Sequence, residues 1–148
     1  MPFFKPKRAP EPDPPFFAWL EGEHGTGIPT FDKEHQKIFM IISRIHARAH
    51  EERVRTPPLD LLDQLRLELT AHFSHEEQVM EEAGFPDRAG HAAEHAALVR
   101  ELQDLLKRFH SGGISVLALP AFLKKWFVTH ISDSDRKYAA HLRRNGFR

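Results

Sequence analysis

Cysteine is absent from this chain of 148 residues. That excludes disulfides, thiolate metal sites and a cysteine nucleophile, and it fits a reducing compartment such as the cytoplasm. A charge excess is absent as well. Lys plus Arg and Asp plus Glu number 21 each, so there is no basic field of the kind that holds nucleic acid non-specifically. No apolar run approaches the length of a membrane span, and no signal-peptide pattern is present, so no contact with a membrane is expected. Nor does any alternation of apolar and polar residues argue for strands. What remains is one domain's worth of chain with 41% hydrophobic residues, enough for a core without covalent staples. A monomer is the expected state.

Histidine is the residue in surplus, with 11 copies. Four short groups stand out: His35 alone, His72 with Glu76, His91 with His95, and His130 with Asp135. His72 and Glu76 are four apart, as are His91 and His95, so on a helix each pair shares one face about one turn apart and forms a chelate. Imidazoles and carboxylates together make a mixed nitrogen and oxygen donor set that suits iron, manganese or zinc, and a carboxylate can bridge two ions.

Residues 1–18 hold six of the eleven prolines and read as an extended N-terminal arm. Its pairs Phe3–Phe4 and Phe16–Phe17 are anchors, either for a partner or for the arm's own domain. Residues 19–148 carry four helical patterns. The first starts near Phe31 or Asp32, with Asp32 placed to cap it, and has a stripe of His35, Ile38, Ile42, Ile45 and Ala49. Thr56, Pro57 and Pro58 end it. The second runs from about Leu59 to Ala83, with Leu62, Leu65, Leu69, His72, Glu76 and Val79 on one face. The third, from about Arg88 to His110, aligns His91, His95, Leu98, Leu102, Leu105 and Phe109. The fourth runs from Ser115 or Leu119 to about Arg144, with Pro120 tolerable only in its first turn. Four amphipathic helices with short connections predict an all-α protein, an antiparallel up-down-up-down four-helix bundle.

The apolar stripes contain the polar groups, and this carries the functional argument. A residue on such a stripe is desolvated, at a cost of several kcal/mol for an unpaired carboxylate and roughly one to three for an unpaired imidazole. Every helix places at least one imidazole there. A shared metal centre removes all of these penalties together, whereas a metal-free core would need a separate hydrogen-bonding partner for each buried histidine.

The segments FDKEHQKIF around His35, HFSHEEQVM from His72, HAAEHAAL from His91 and WFVTHISDSDRKY up to Tyr138 resemble the four signature segments of the hemerythrins, in particular the single-domain bacterial ones. The resemblance spans roughly residues 19 to 142 and keeps the family order. It implies a non-haem centre of two iron ions inside the bundle. His91, His95 and His130 would be terminal ligands of one iron, and His35 and His72 would hold the other. Glu76 and Asp135 would bridge them, with a solvent-derived oxo or hydroxo group as third bridge. The second iron then keeps an open position for dioxygen. The implied function is reversible dioxygen binding for storage, delivery or buffering, without catalysis. The alternatives are an oxygen or redox sensor, a diiron redox enzyme acting on peroxide or nitric oxide, and a closed structural metal bundle.

Some positions fit less simply. His130 and Asp135 are five apart, about 140° around an ideal helix, so a local distortion or a long reach is required. Geometry alone favours Asp133, and the resemblance selects Asp135. Asp133 is then a solvated charge. His75 is either a hydrogen-bond donor to the site or, the favoured reading, a solvent-facing residue. Trp126 and Tyr138 match aromatic positions near the family's centre. His24, His46, His50, His110 and His141 read as surface or helix-end residues, and Glu77 and Glu81 as a solvated face.

Overall fold

Proline stands in the first turn of two helices, and glycine follows the end of three. Pro29 stands at the start of one helix and Pro120 in the first turn of another, where a missing N–H costs no hydrogen bond. Gly84, Gly112 and Gly146 adopt positive φ just beyond three helix ends. There Phe85 donates back to the Met80 carbonyl, Gly113 to Arg108 and Phe147 to Leu142, the bond pattern of a helix wound shut by a left-handed residue.

The computed structural model describes residues 16–51 and 58–147. These form α1 (Glu21–His24), α2 (Pro29–Ala49), α3 (Leu59–Glu82), α4 (Arg88–His110), α5 (Leu119–His130), a π-helical turn (Ile131–Asp135) and α6 (Arg136–Arg144). The described residues contain no strand. None of their helices is long and apolar enough to cross a membrane. Most of the arm, and Thr56 and Pro57 as helix stops, lie outside the described residues.

Cross-helix pairs show the antiparallel order. Between α2 and α3, Arg48 meets Asp60, Lys37 meets Glu68 and Glu34 meets His72, so one index falls as the other rises. The same reversal relates Arg88 and Glu81 to His95 and Glu77 across α3 and α4. Trp126 with Glu101 and His130 with Glu94 close the ring between α4 and α5. The four-helix bundle expected from the periodicity is the fold, with α5, the π-helical turn and α6 sharing the fourth rod.

Two apolar clusters divide the interior. The larger contains Ile38, Ile42, Leu65, Leu69, Phe73, Leu102, Leu123 and Phe127. The smaller contains Ile28, Phe31, Met80, Tyr138, Ala139 and Leu142. The rods of α2, of α3 and of α5 with α6 pass from one cluster to the other through buried polar residues, while α4 joins only the larger cluster, so the polar layer lies between two bodies of packed hydrocarbon.

The segment before α2 is stitched to this frame. Asp32 does not cap the helix as expected, because α2 begins earlier, at Pro29. Its buried carboxylate instead accepts from the Thr26 N–H at 2.8 Å, the Thr26 hydroxyl at 2.7 Å and the Gly27 N–H at 3.2 Å, fixing the incoming loop. Arg136 and Arg143 donate to the carbonyls of Gly22 and Thr26 from the far side. Phe17 is buried and stacks on Phe39 at 3.6 Å, while Phe16 stacks on His46 at 3.9 Å. At least these two residues of the arm anchor to the chain's own bundle.

Candidate metal centre

All seven side chains expected to hold metal converge in the polar layer, and all are buried. Potential ligand atoms of Glu76, His91, His95, His130 and Asp135 lie within 4.8 Å of one another, and so do those of His35, His72, Glu76 and Asp135. The two groups share Glu76 and Asp135. Within the second group the His35 and His72 Nε2 atoms are 2.9 Å apart. On the other side, His95 Nε2 lies 3.1 Å from Glu76, and His91 and His130 Nε2 lie 3.3 and 3.0 Å from Asp135.

The backbone supplies the distortion that the spacing demanded. Over Ile131–Asp135 the helix widens to a π turn, in which residues five apart come into line. This swings Asp135 onto the His130 face. Asp133 stays exposed on the outside.

The outward-facing nitrogens of three of the histidines are held by carboxylates. His72 Nδ1 meets Glu34 at 2.6 Å, His95 Nδ1 meets Glu77 at 2.8 Å and His130 Nδ1 meets Glu94 at 2.9 Å. A carboxylate accepts from a protonated nitrogen, so Nδ1 carries a proton and Nε2 is the nitrogen turned to the interior. In every case the carboxylate comes from the preceding long helix: α2 holds α3, α3 holds α4 and α4 holds α5. Glu94 also accepts from the Ser134 hydroxyl at 2.6 Å, which ties it to the π turn.

The inner atoms are left wanting. Nε2 of His91, His95 and His130, Oε2 of Glu76 and both oxygens of Asp135 are buried without a hydrogen-bond partner. Orphaned donor atoms at this density are rare in a protein interior and mark a site that takes cations. Electrostatics agree. Burial alone would depress the His72 imidazole, but the Glu76 charge and the Glu34 hydrogen bond raise it to about 10. Burial likewise opposes, and Asp135 and Glu76 outweigh it, to raise His91 to about 9. Against their own burial, Glu76 is held well below the usual carboxylate range by His72, His91 and His95, and Asp135 by His130 and His35. Both carboxylates are therefore ionised and require positive charge around them, from protons or from metal ions.

Several outer residues differ from expectation. Glu77 is no solvated charge, since it holds His95. His75 keeps a half-exposed edge yet meets the same Glu34 as His72, at 2.7 Å. His24 is buried among Phe17, Trp19 and Phe39 rather than at the surface, with Nδ1 accepting from the Leu20 N–H at 2.9 Å. Trp126 is half-buried, and its indole donates outward to Glu101 at 3.1 Å. The aromatic rings against the imidazoles include Phe73, stacked on His95 at 4.0 Å, Phe127, edge-on to His35 at 5.5 Å, Phe31, edge-on to His72, and Tyr138, edge-on to His91 at 5.1 Å. Tyr138 also reaches the site through its hydroxyl.

A four-helix bundle with buried imidazoles grouped around two shared carboxylates defines a metal-binding helical-bundle protein. The family profile described as "Hemerythrin HHE cation binding domain" matches residues 26–142. The chain is similar to the bacteriohemerythrin of Methylococcus capsulatus, with 35% identity over 126 residues, 84% of this chain and 95% of that one. It is also similar to the bacteriohemerythrin of Stenotrophomonas maltophilia, with 30% identity across 78% of each chain. The crystal structure of wild-type hemerythrin matches with a TM-score of 0.76 at 34% identity, covering 86% of this chain and 98% of that one. This chain belongs to the hemerythrin family.

Proposed function

We propose that the protein binds dioxygen reversibly at a pair of iron ions, as a store, carrier or buffer of the gas. His91, His95 and His130 would hold one ion and His35 and His72 the other, with Glu76 and Asp135 able to serve both. The observation that carries this reading is the overlap of the two ligand groups in those two carboxylates and in no other residue. A carboxylate has two oxygens and can bridge, whereas an imidazole Nε2 serves one ion, so the shared and unshared residues sort by chemistry.

The residues present fit such a centre. Six of their inward atoms have no hydrogen-bond partner, the carboxylates outside His72, His95 and His130 set the tautomer a metal requires, and nitrogen and oxygen donors suit iron. Bound as a ferrous pair, the ions would supply the electrons that dioxygen draws on when it binds. The protein residues do the remainder. With three imidazoles on one side and two on the other, the protein would offer the second ion one ligand fewer, which would leave room for an exogenous molecule. Phe31, Phe73 and Phe127 pack against the imidazoles and keep bulk water from them. Tyr138 donates to Glu76 and steadies the shared carboxylate. We also read residues 1–18 as an arm on a bundle formed by residues 19–148.

The test is a visible absorption spectrum of the reduced, iron-loaded protein, taken without oxygen, in air and after oxygen is removed, together with an iron count. The expected result is an oxygen-dependent charge-transfer band that appears and disappears with two irons per chain. A band that never forms, or forms once and decays to the oxidised protein, overturns the reading.

A further inference from the structure

We propose that the cleft between the first turn of α4 and the π-helical turn is the passage by which ferrous ions reach and leave the centre. The proposal rests on the reading that the seven buried residues hold iron. The cleft has a volume of about 190 Å³, and its walls include Asp87, Gly90, His91, Glu94, Asp133 and Lys137. Three carboxylates against one ammonium give it a negative mouth, which concentrates cations. Glu94 is engaged with His130 and Ser134. Asp87 and Asp133 are exposed and make no side-chain hydrogen bond or ion pair among the described residues, so they are free to receive an ion in transit. Gly90 has a part in this, because a Cβ there would run into the Asp87 carboxylate.

At the inner end stands His91. It is only 5% exposed, and its buried Nε2, 3.3 Å from Asp135, has no hydrogen-bond partner. One ring therefore lines the cleft and also reaches the centre. The other imidazoles are less suited to receive an ion. His72, His95 and His130 are clamped from outside by Glu34, Glu77 and Glu94, and His35 is fully enclosed. Among the described residues no carboxylate holds the outer nitrogen of His91 as Glu34, Glu77 and Glu94 hold those of the other three. An ion would pass from carboxylate oxygens to this imidazole and then to the shared carboxylates, exchanging donors one at a time.

A passage alters rates in both directions and leaves the end point unchanged. The experiment mixes metal-free protein with ferrous ion under anaerobic conditions, follows uptake, and then follows release to a strong chelator. The double variant Asp87→Asn/Asp133→Asn is expected to load roughly tenfold more slowly, the lower end of what a charged cleft contributes to association, and to release more slowly by a similar factor. Asp87 makes no capping bond to α4, so the substitution spares the helix start. Lys137→Gln is expected to load faster, which keeps the proposal testable if the double variant folds poorly. Asp63→Asn/Asp104→Asn removes the same charge from exposed positions elsewhere and is expected to load like the parent. Unchanged rates in the cleft variants, or equal slowing in that control, overturn the passage. A parent protein that does not take up two irons overturns the dinuclear reading instead.

Discussion

The Tyr138 hydroxyl donates a 2.7 Å hydrogen bond to Glu76 Oε1, and both side chains are buried. Burial and the Glu76 charge push the phenol far above its ordinary range, so it stays a neutral donor. Tyr138→Phe removes a bond to a buried charge, and we expect a loss of about 1.5–3 kcal/mol in stability. Denaturant unfolding of the variant checks this, and an unchanged midpoint would count against the bond. The iron count should remain at two.

His72 and His75 both meet Glu34, but only His72 turns a second nitrogen inward, 3.3 Å from Glu76. We expect His72→Ala to lose iron from one half of the centre and His75→Ala to retain both ions. Metal analysis of the two purified variants decides the matter, and equal loss in both would refute the ligand assignment.

Glu34 touches no inward atom of the centre, and its effect runs through His72. Removing a carboxylate that orients a ligating histidine typically lowers metal affinity about 10–100-fold. Glu34→Ala should show a fall of that order in chelator competition while the fold is kept. An affinity equal to the parent's would mean that packing alone orients His72.

His24 provides a pH dependence remote from the metal ligands. Burial holds its imidazole below the ordinary value of 6.5, with Arg136 and Lys124 adding to the effect and Glu23 opposing it. Below that value the unfolded chain takes up a proton that the folded chain refuses, so stability falls as pH falls. Above it the contribution is fully present. His24→Asn should therefore lose less stability than the parent between about pH 7.5 and 5.5, a range set by the ordinary histidine value. Chemical unfolding at the two pH values measures the difference, and parallel losses would contradict it.

Much of the fold and the heart of the site could be read from the residues in order. His72, Glu76, His91 and His95 announced themselves because a four-residue step on an apolar stripe has one geometric meaning. Asp135 was harder, since its five-residue step from His130 contradicts an α-helix and makes sense only with the π turn. The orienting carboxylates went unread. Glu34 and Glu94 each precede a histidine of their own helix, and Glu77 follows Glu76, so all three look like the charged flank of an amphipathic helix. Each serves a histidine on the next helix, and that pairing depends on the register between rods, which periodicity along one rod does not contain. Asp32 was misread for the opposite reason. It is a good capping residue in a plausible place, but Pro29 starts the helix a turn earlier and commits the carboxylate to the loop.

The handing-on of carboxylates from helix to helix has a consequence for anyone who would transplant this centre. Seven residues copied into another bundle would bring the right atoms near one another, yet each clamped imidazole takes its orientation from a neighbouring rod. If α3 or α4 slid by a turn, it would lose its own clamp and withdraw the one it offers. The unit of inheritance is therefore larger than the ligand set. It includes Glu34, Glu77 and Glu94 and the vertical alignment of four rods, so variation along this chain is constrained in groups that span two helices rather than residue by residue.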